Sequence, residues 1–357
     1  MAEGPDTGLR IARPTLSIAG RENGALSNGL LSLLIVEHTN GLYRCEALFG
    51  NWGNVNNGTG FLYFDRAVLD FGQVVQVKLG ADVIFDGKIM GLEANFPEGE
   101  APEINILAED RFQDLRMTRR TRTFVDVSDA DVISQIANEH GLSPSVDVSG
   151  PTYRVLAQIN QSDLAFLRER TRAIDAELWM EGNTLKAQAR TQRDGGTLQM
   201  THGNGLRAFS VLADLAGQRT GVTVSGWDVS GKTELQHEAT DAIMSGEFQG
   251  GDSGASILSA AFGARREALV HTVPLSSQEA QAIAEAFFKA NARRFIVGRG
   301  VAETDSRLRV GSYVDLQGLG PLFNGKYYLS EVRHRFDGVQ GLRTEFIAER
   351  PALGSAA

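Results

Sequence analysis

The chain has 357 residues, 42% apolar and 22% charged, with a formal net charge of −9. This length exceeds one average domain, so two or three units are expected, and it can bury a core without covalent staples. The acidic balance argues against a nucleic-acid partner, the single cysteine, Cys45, excludes an intrachain disulfide, and no apolar run approaches the ~20 residues of a membrane span.

In chain order, residues 1–13 read as an N-terminal arm without the basic and apolar regions of a signal peptide. Production in the cytosol follows, with exit only by lysis or a non-Sec route. Residues 14–111 read as a first, mostly β unit. Leu30 to Val36 is an apolar run, Val68–Leu79 and Val83–Leu92 alternate, and Asp86-Gly87 carries a hairpin signal. After a polar turn from Pro97 to Pro102, Ile104, Ile106 and Ala108 share one face of a returning strand.

Residues 112–200 change to α+β character. Ser128 caps a helix bearing Val132, Ile133, Ile136 and Ala137 and stopped by Gly141. Ser162 starts a second helix with Leu164, Leu167 and Ile174 on one face. Ala176 to Ala187 reads as a hairpin turning at Gly182-Asn183. From 201 to 350 β patterning returns as a second unit. It holds a Gly-, Ser- and Ala-rich stretch, 236–262, expected to be a flexible insert or to order on assembly. A helix at 277–294 follows, opened by Ser276 and Glu279 and striped by Ile283, Ala284, Phe287 and Phe288. Residues 351–357 form a short, frayed tail.

One β pattern occurs twice. Phe85-Asp86-Gly87-Lys88 is matched by Phe323-Asn324-Gly325-Lys326. A glycine-led strand precedes each (Gly72, Val75, Val77; Gly311, Val314, Leu316), and a strand with an Ala-Glu pair follows each (Ala108-Glu109; Ala348-Glu349). Gly87 and Gly325 are expected to allow the hairpin turns, and the Ala-Glu pairs to end the equivalent strands. The expected fold is β-rich α+β: two related β-barrel-like domains, 14–111 and 201–350, with an α+β domain between them. Two similar surfaces per chain become six in a ring of three.

No pattern nominates an active site, a cofactor or a metal. Gly251-Asp252-Ser253-Gly254 imitates the surroundings of a serine nucleophile, but none of the histidines at 38, 140, 202, 237, 271 and 334 lies in a base motif. No two histidines have metal-ligand spacing. Arg116, Arg119, Arg120 and Arg122 form a basic cluster, read either as a subunit interface or as a solvated loop. Trp227 reads as a packing anchor or a sugar-stacking aromatic.

Three passages carry a family likeness. The first is Gln161-Ser162-Asp163-Leu164-Ala165-Phe166-Leu167-Arg168-Glu169-Arg170 with Ala176-Glu177-Leu178-Trp179. The second is Leu215-Ala216-Gly217-Gln218 leading to Val224-Ser225-Gly226-Trp227-Asp228. The third runs from Ala292-Arg293-Arg294-Phe295 through Arg309-Val310-Gly311, Gly318-Leu319-Gly320 and Phe323 to Tyr328, ending at His334. In this order the chain resembles the late control protein D family of contractile phage tails and the hub portion of the valine–glycine repeat (VgrG) spike proteins of type VI secretion. The resemblance implies a structural baseplate hub with no enzymatic activity and no cofactor. It implies a homotrimer with two tube domains per chain and pseudo-six-fold symmetry, joining a hexameric inner tube to a trimeric spike among other baseplate proteins. Because the chain ends at Ala357 without the barrel and needle of those spike proteins, a separate spike protein is expected. The particle would then be phage-like or an extracellular contractile injection system, assembled in the bacterial cytoplasm. A cell-wall glycan hydrolase, or a carbohydrate-binding tail component using Trp179 and Trp227, is the alternative.

Overall fold

Strands in the N-terminal third follow the two-residue period of their sequence. The computed structural model describes residues 13–354 except 56–57, 229–230, 249 and 271–272; residues 1–12 of the expected arm and 355–357 of the expected tail lie outside the described residues. The first strands are β1 (Thr15–Ile18), β2 (Leu30–His38), β3 (Arg44–Gly50), β4 (Val74–Leu79), β5 (Asp82–Asn95) and β6 (Glu103–Glu109). Cys45, Ala47 and Phe49 of β3 point into the core, as do Ile104, Ile106 and Ala108 of β6, while Arg44, Glu46 and Asn105 point away. The strands pair in the order β1-β4-β5-β6-β3-β2.

The middle unit comprises β7 (Arg119–Ser128), α1 (Asp129–Glu139), β8 (Ser143–Asp147), β9 (Thr152–Ser162), α2 (Asp163–Ala173), β10 (Ala176–Glu181) and β11 (Thr184–Ala189). Ser128 and Asp131 form a capping box on α1, and Ser162 caps α2 by accepting from Ala165 N. Gly182-Asn183 makes the two-residue turn, with Gly182 at φ +56°. Phe112, Phe124, Ile133, Leu164, Leu167 and Leu185 share the core of this unit.

The remaining strands are β12 (Thr197–His202), β13 (Gly205–Ala213), β14 (Gly221–Asp228), β15 (Thr233–Thr240), β16 (Arg266–Leu269), β17 (Ile296–Glu303), β18 (Tyr313–Gln317), β19 (Gly325–Asp337) and β20 (Gly341–Arg350); the helices are α3 (Gly254–Phe262) and α4 (Ser277–Arg293). The order β12-β18-β19-β20-β17-β13 closes on itself as a six-stranded barrel. β12 begins at Thr197, so the expected domain boundary at 200 falls inside a barrel strand. An antiparallel pairing of β2 with β19 fuses the first sheet to the barrel.

The segment 236–262 is not a flexible insert over its described residues. It holds most of β15, a single-turn helix at Asp241–Met244, and α3. β15-β14-β16 form a small sheet, and Val222, Val224, Ala239 and Met244 pack on Ala284 and Phe288 of α4. The alanines that made this stretch look irregular are strong helix formers once a cap is in place. The tail is tied down as well: Ala352–Leu353 pairs with Asp252–Ser253.

Matching hydrogen bonds and bulges recur in the first sheet and the barrel. Gly72 N donates to Ile89 O (2.8 Å) and Ile89 N to Gln73 O (3.0 Å); Gly311 N donates to Leu329 O (3.1 Å) and Leu329 N to Ser312 O (3.0 Å). The β5–β6 ladder is bulged between Ile89 and Gly91, and the β19–β20 ladder between Leu329 and Glu331. The β2–β3 and β13–β17 ladders are likewise bulged, between Leu30 and Ser32 and between Leu206 and Ala208. Bulges are positional features of a ladder, so β5 corresponds to β19, β6 to β20, β3 to β17 and β2 to β13.

These ladders correct the expected role of Gly87. It lies inside β5 opposite Val75, and the turn between β4 and β5 is made by Gly80 and Ala81. A Cβ on Gly87 would sit 2.3 Å from Glu109 O, so glycine is required there for close backbone approach. Val75 pairs with Gly87 as Val314 pairs with Tyr327, so the position matching Gly87 is Tyr327. Gly325, two residues earlier, opens β19 at φ +129°.

Candidate assembly face

Eight strands run side by side without a break: β13-β17-β20-β19-β2-β3-β6-β5, every neighbour antiparallel. Their side chains directed away from the cores form one continuous face. Its barrel half carries Arg299, Arg333, Arg335 and Arg343 among Glu303 and Glu345; the other half carries Glu46, Glu93, Glu103 and Glu109 around Arg44. Ala108 and Glu109 lie opposite Ile89 and Lys88, and Ala348 and Glu349 opposite Leu329 and Tyr328.

Buried ion pairs hold the sheet, the middle unit and the barrel to one another. Glu37 of β2 is fully buried, accepts from Val310 N at 3.0 Å and pairs with Arg309. Arg193 donates to Glu177 of β10 (2.9 Å), to the Tyr43 hydroxyl (3.0 Å) and to Val310 O (2.8 Å). Glu177 also accepts from the Tyr328 hydroxyl, and Arg190 bonds Glu349 at 2.6 Å. Burial pushes the Tyr43 phenol up to about 12 and the Tyr328 phenol well above its ordinary value, so both keep their protons. Sequence reading missed this joint; its one signal is Glu37, a charge directly after the apolar run of β2.

The basic cluster lies largely on a strand rather than in a loop, with Arg116, Arg119 and Arg120 exposed. Arg119, Arg120 and Arg122 lie on β7, and Arg116 pairs with Glu109. Arg119 donates to Asn160 O at 2.9 Å. Arg120 and Arg122 reach the buried carboxylate of Asp163 at 3.1 and 2.9 Å, and Arg122 also reaches Glu139 at 2.6 Å.

The serine motif is structural. Ser253 caps α3, accepting from Ser256 N at 3.0 Å and donating to Asp241. Ser253→Ala is expected to cost about 1 kcal/mol, read as a lowered midpoint in urea unfolding.

Of the histidines, His140 bonds Asp163 at 2.8 Å, His38 faces Glu331 at 3.3 Å, His202 is exposed, and His271 lies outside the described residues. Trp179 is buried under Arg193, whereas Trp227 is half exposed rather than a packing anchor.

His334 lies opposite Ile35 of β2, fully buried, with Nδ1 3.0 Å from Thr344 Oγ1 of β20. Burial, and then the charge of Arg309, lower its pKa to about 3 from an ordinary 6.5. The stability that this neutral imidazole contributes is fully present above 6.5. It is lost as pH falls from 6.5 through about 3, at up to about 1.4 kcal/mol per pH unit. His334→Gln should flatten that slope when urea midpoints at pH 7 and pH 4.5 are compared.

A closed six-stranded barrel fused to a matching sheet, with an α+β unit between them, is a fold found in phage tail proteins. The chain is similar to a 43 kDa tail protein of prophage MuSo2 from Shewanella oneidensis, with TM-score 0.69 and 11% identity over 95% of this chain and 98% of that one. It is similar to a tail protein from Neisseria meningitidis, with TM-score 0.63 and 12% identity over 94% and 96%. It is also similar to an Escherichia coli type VI secretion component described as resembling the T4 bacteriophage tail proteins gp27 and gp5, with TM-score 0.57 and 13% identity over 96% and 79%. The chain belongs to the Alg8 N-terminal domain family, whose model matches residues 53–337. No curated protein sequence matches it.

Proposed function

We propose that the protein is a structural hub in the baseplate of a phage tail or contractile injection system, with no catalytic role. Three copies form a ring around a channel, and the ring joins a hexameric inner tube to a trimeric spike among other baseplate proteins. The observation that carries this reading is the unbroken eight-strand face made of two corresponding four-strand halves. Eight is even, so a ring of such faces keeps every neighbour antiparallel. Three copies give about twenty-four strands, beyond the number at which closed barrels keep an open lumen. The fold shared with phage tail proteins and a type VI secretion component supports the same reading. No described helix is long and apolar enough to cross a membrane.

Mass by light scattering, and symmetry from electron microscopy class averages, test it. A ring of three chains with six similar lobes and a central channel is expected. A chain that stays monomeric even with its spike and tube proteins overturns the reading.

A further inference from the structure

The chain already contains one seam of such a ring. Where β2 meets β19, Glu331 lies opposite His38, Arg333 opposite Val36, His334 opposite Ile35, Arg335 opposite Leu34 and Phe336 opposite Leu33. The strands corresponding to β19 and β2 are β5 and β13, and both have a bare edge. β4 leaves β5 at Lys88, and no described strand lies along that side of Gly91–Asn95. β13 meets β12 only through Gly205 and Leu206, which leaves the same side of Ala208–Ala213 without a described partner strand.

We propose that β5 of one copy pairs antiparallel with β13 of the next copy in the register of the internal seam. Gly91 then lies opposite Asp214, Glu93 opposite Leu212, Ala94 opposite Val211, Asn95 opposite Ser210 and Phe96 opposite Phe209. This rests on the ring reading and adds which edges meet and in what register. The contact is head-to-tail, the type that closes into rings.

Exposure marks the same residues. Phe336 is 3% exposed, packed into the core of the first sheet across the internal seam, whereas the corresponding Phe96 is 62% exposed. Val36 is 8% exposed and the corresponding Leu212 is 63% exposed. Phe96 meets the rim aromatics Phe61 and Phe64, and Phe61 in turn meets Trp52. In the paired ring it enters the neighbour's barrel beside Phe209, which already contacts Tyr327 and Phe346 there. Pro97 lacks an N–H and ends the ladder one residue after Phe96. A bare strand edge beside exposed aromatics is a hazard for a free chain and a template for a partner strand.

The test is a chain carrying both Ala94→Cys and Val211→Cys, oxidised at the concentration where mass is measured; the native Cys45 is buried. Covalent trimers on a denaturing gel are expected. A control pair, Leu92→Cys with Phe209→Cys, is four residues out of register and beyond disulfide reach, so it should stay uncrosslinked. Phe96→Ser changes an exposed side chain, so the monomer should fold with an unchanged Tm while the ring dissociates at a concentration at least ten-fold higher. A trimeric wild type in which the control pair crosslinks and the Ala94→Cys, Val211→Cys pair does not would overturn the register and leave the ring reading standing. An equally stable ring from Phe96→Ser would likewise overturn the pairing. A wild type that is monomeric with its spike and tube proteins would overturn both.

Discussion

Arg193→Ala is expected to lower folding stability by about 3–5 kcal/mol, the range for breaking a buried ion pair from one side. The guanidinium is held between units: it bonds Glu177, the Tyr43 hydroxyl and Val310 O, and lies 4.1 Å from the Trp179 ring centroid. Removing it leaves Glu177 buried, with the Tyr328 hydroxyl and a distant Arg190 at 3.9 Å. The lost attraction is the smaller part of the effect; the larger part is the cost of a buried carboxylate without its counter-charge. Replacing both partners, Arg193→Met with Glu177→Leu, should therefore cost less than Arg193→Ala alone. Urea unfolding of the two variants reads the difference. A single substitution that proved harmless would mean that the three units are not coupled through this joint.

The second large effect is expected at Asp163. Its carboxylate is 1% exposed and accepts from Arg120, Arg122, His140 (2.8 Å) and Gln158 (2.8 Å). Burial pushes its pKa up, but the hydrogen bonds from His140 and Gln158 and the charges of Arg122 and Arg120 outweigh burial and hold it below the ordinary carboxylate range. Asp163→Ala leaves Arg120, Arg122 and His140 facing one another and should also cost about 3–5 kcal/mol. Asp163→Asn keeps an acceptor and should cost less. Limited proteolysis distinguishes a local from a global effect, since cleavage is expected to concentrate between residues 112 and 196. Arg120 and Arg122 thus serve the folding of the middle unit first, and Arg116 and Arg119 remain the members of the cluster with the least buried partners.

The repeat was legible because backbone geometry leaves residue signatures. Gly72 and Gly311, and the Ala-Glu pairs, sit at matching places in the two ladders. The most conspicuous anchor misled: Phe85 to Lys88 and Phe323 to Lys326 look alike in composition, yet they lie two residues out of register. Identical side chains report local chemistry, whereas register is fixed by bulges and cross-strand partners that a linear pattern does not show. The stretch 236–262 failed for a related reason. Its small residues lack a strong apolar period, and the order comes from packing on Phe288 and Ala284 of α4, far along the chain. The bare edges of β5 and β13 were invisible, because an edge exists only relative to the strands that stop short of it.

The two repeats carry different additions at matching places. Between β2 and β3 the chain spends only residues 39–43, whereas between the corresponding β13 and β17 it inserts residues 214–295, with the small sheet, α3 and α4. Between β3 and β4 it adds residues 51–73, with Trp52, Phe61 and Phe64, and between β17 and β18 only residues 304–312. In the proposed ring the strands would recur six times and the additions three times. A neighbour that touches only strand ends would meet a six-fold platform; one that grips the additions would meet a three-fold one. The choice between a hexameric and a trimeric partner would then be addressed by insertions, and exchanging them between repeats would rewrite that address while leaving the channel wall alone.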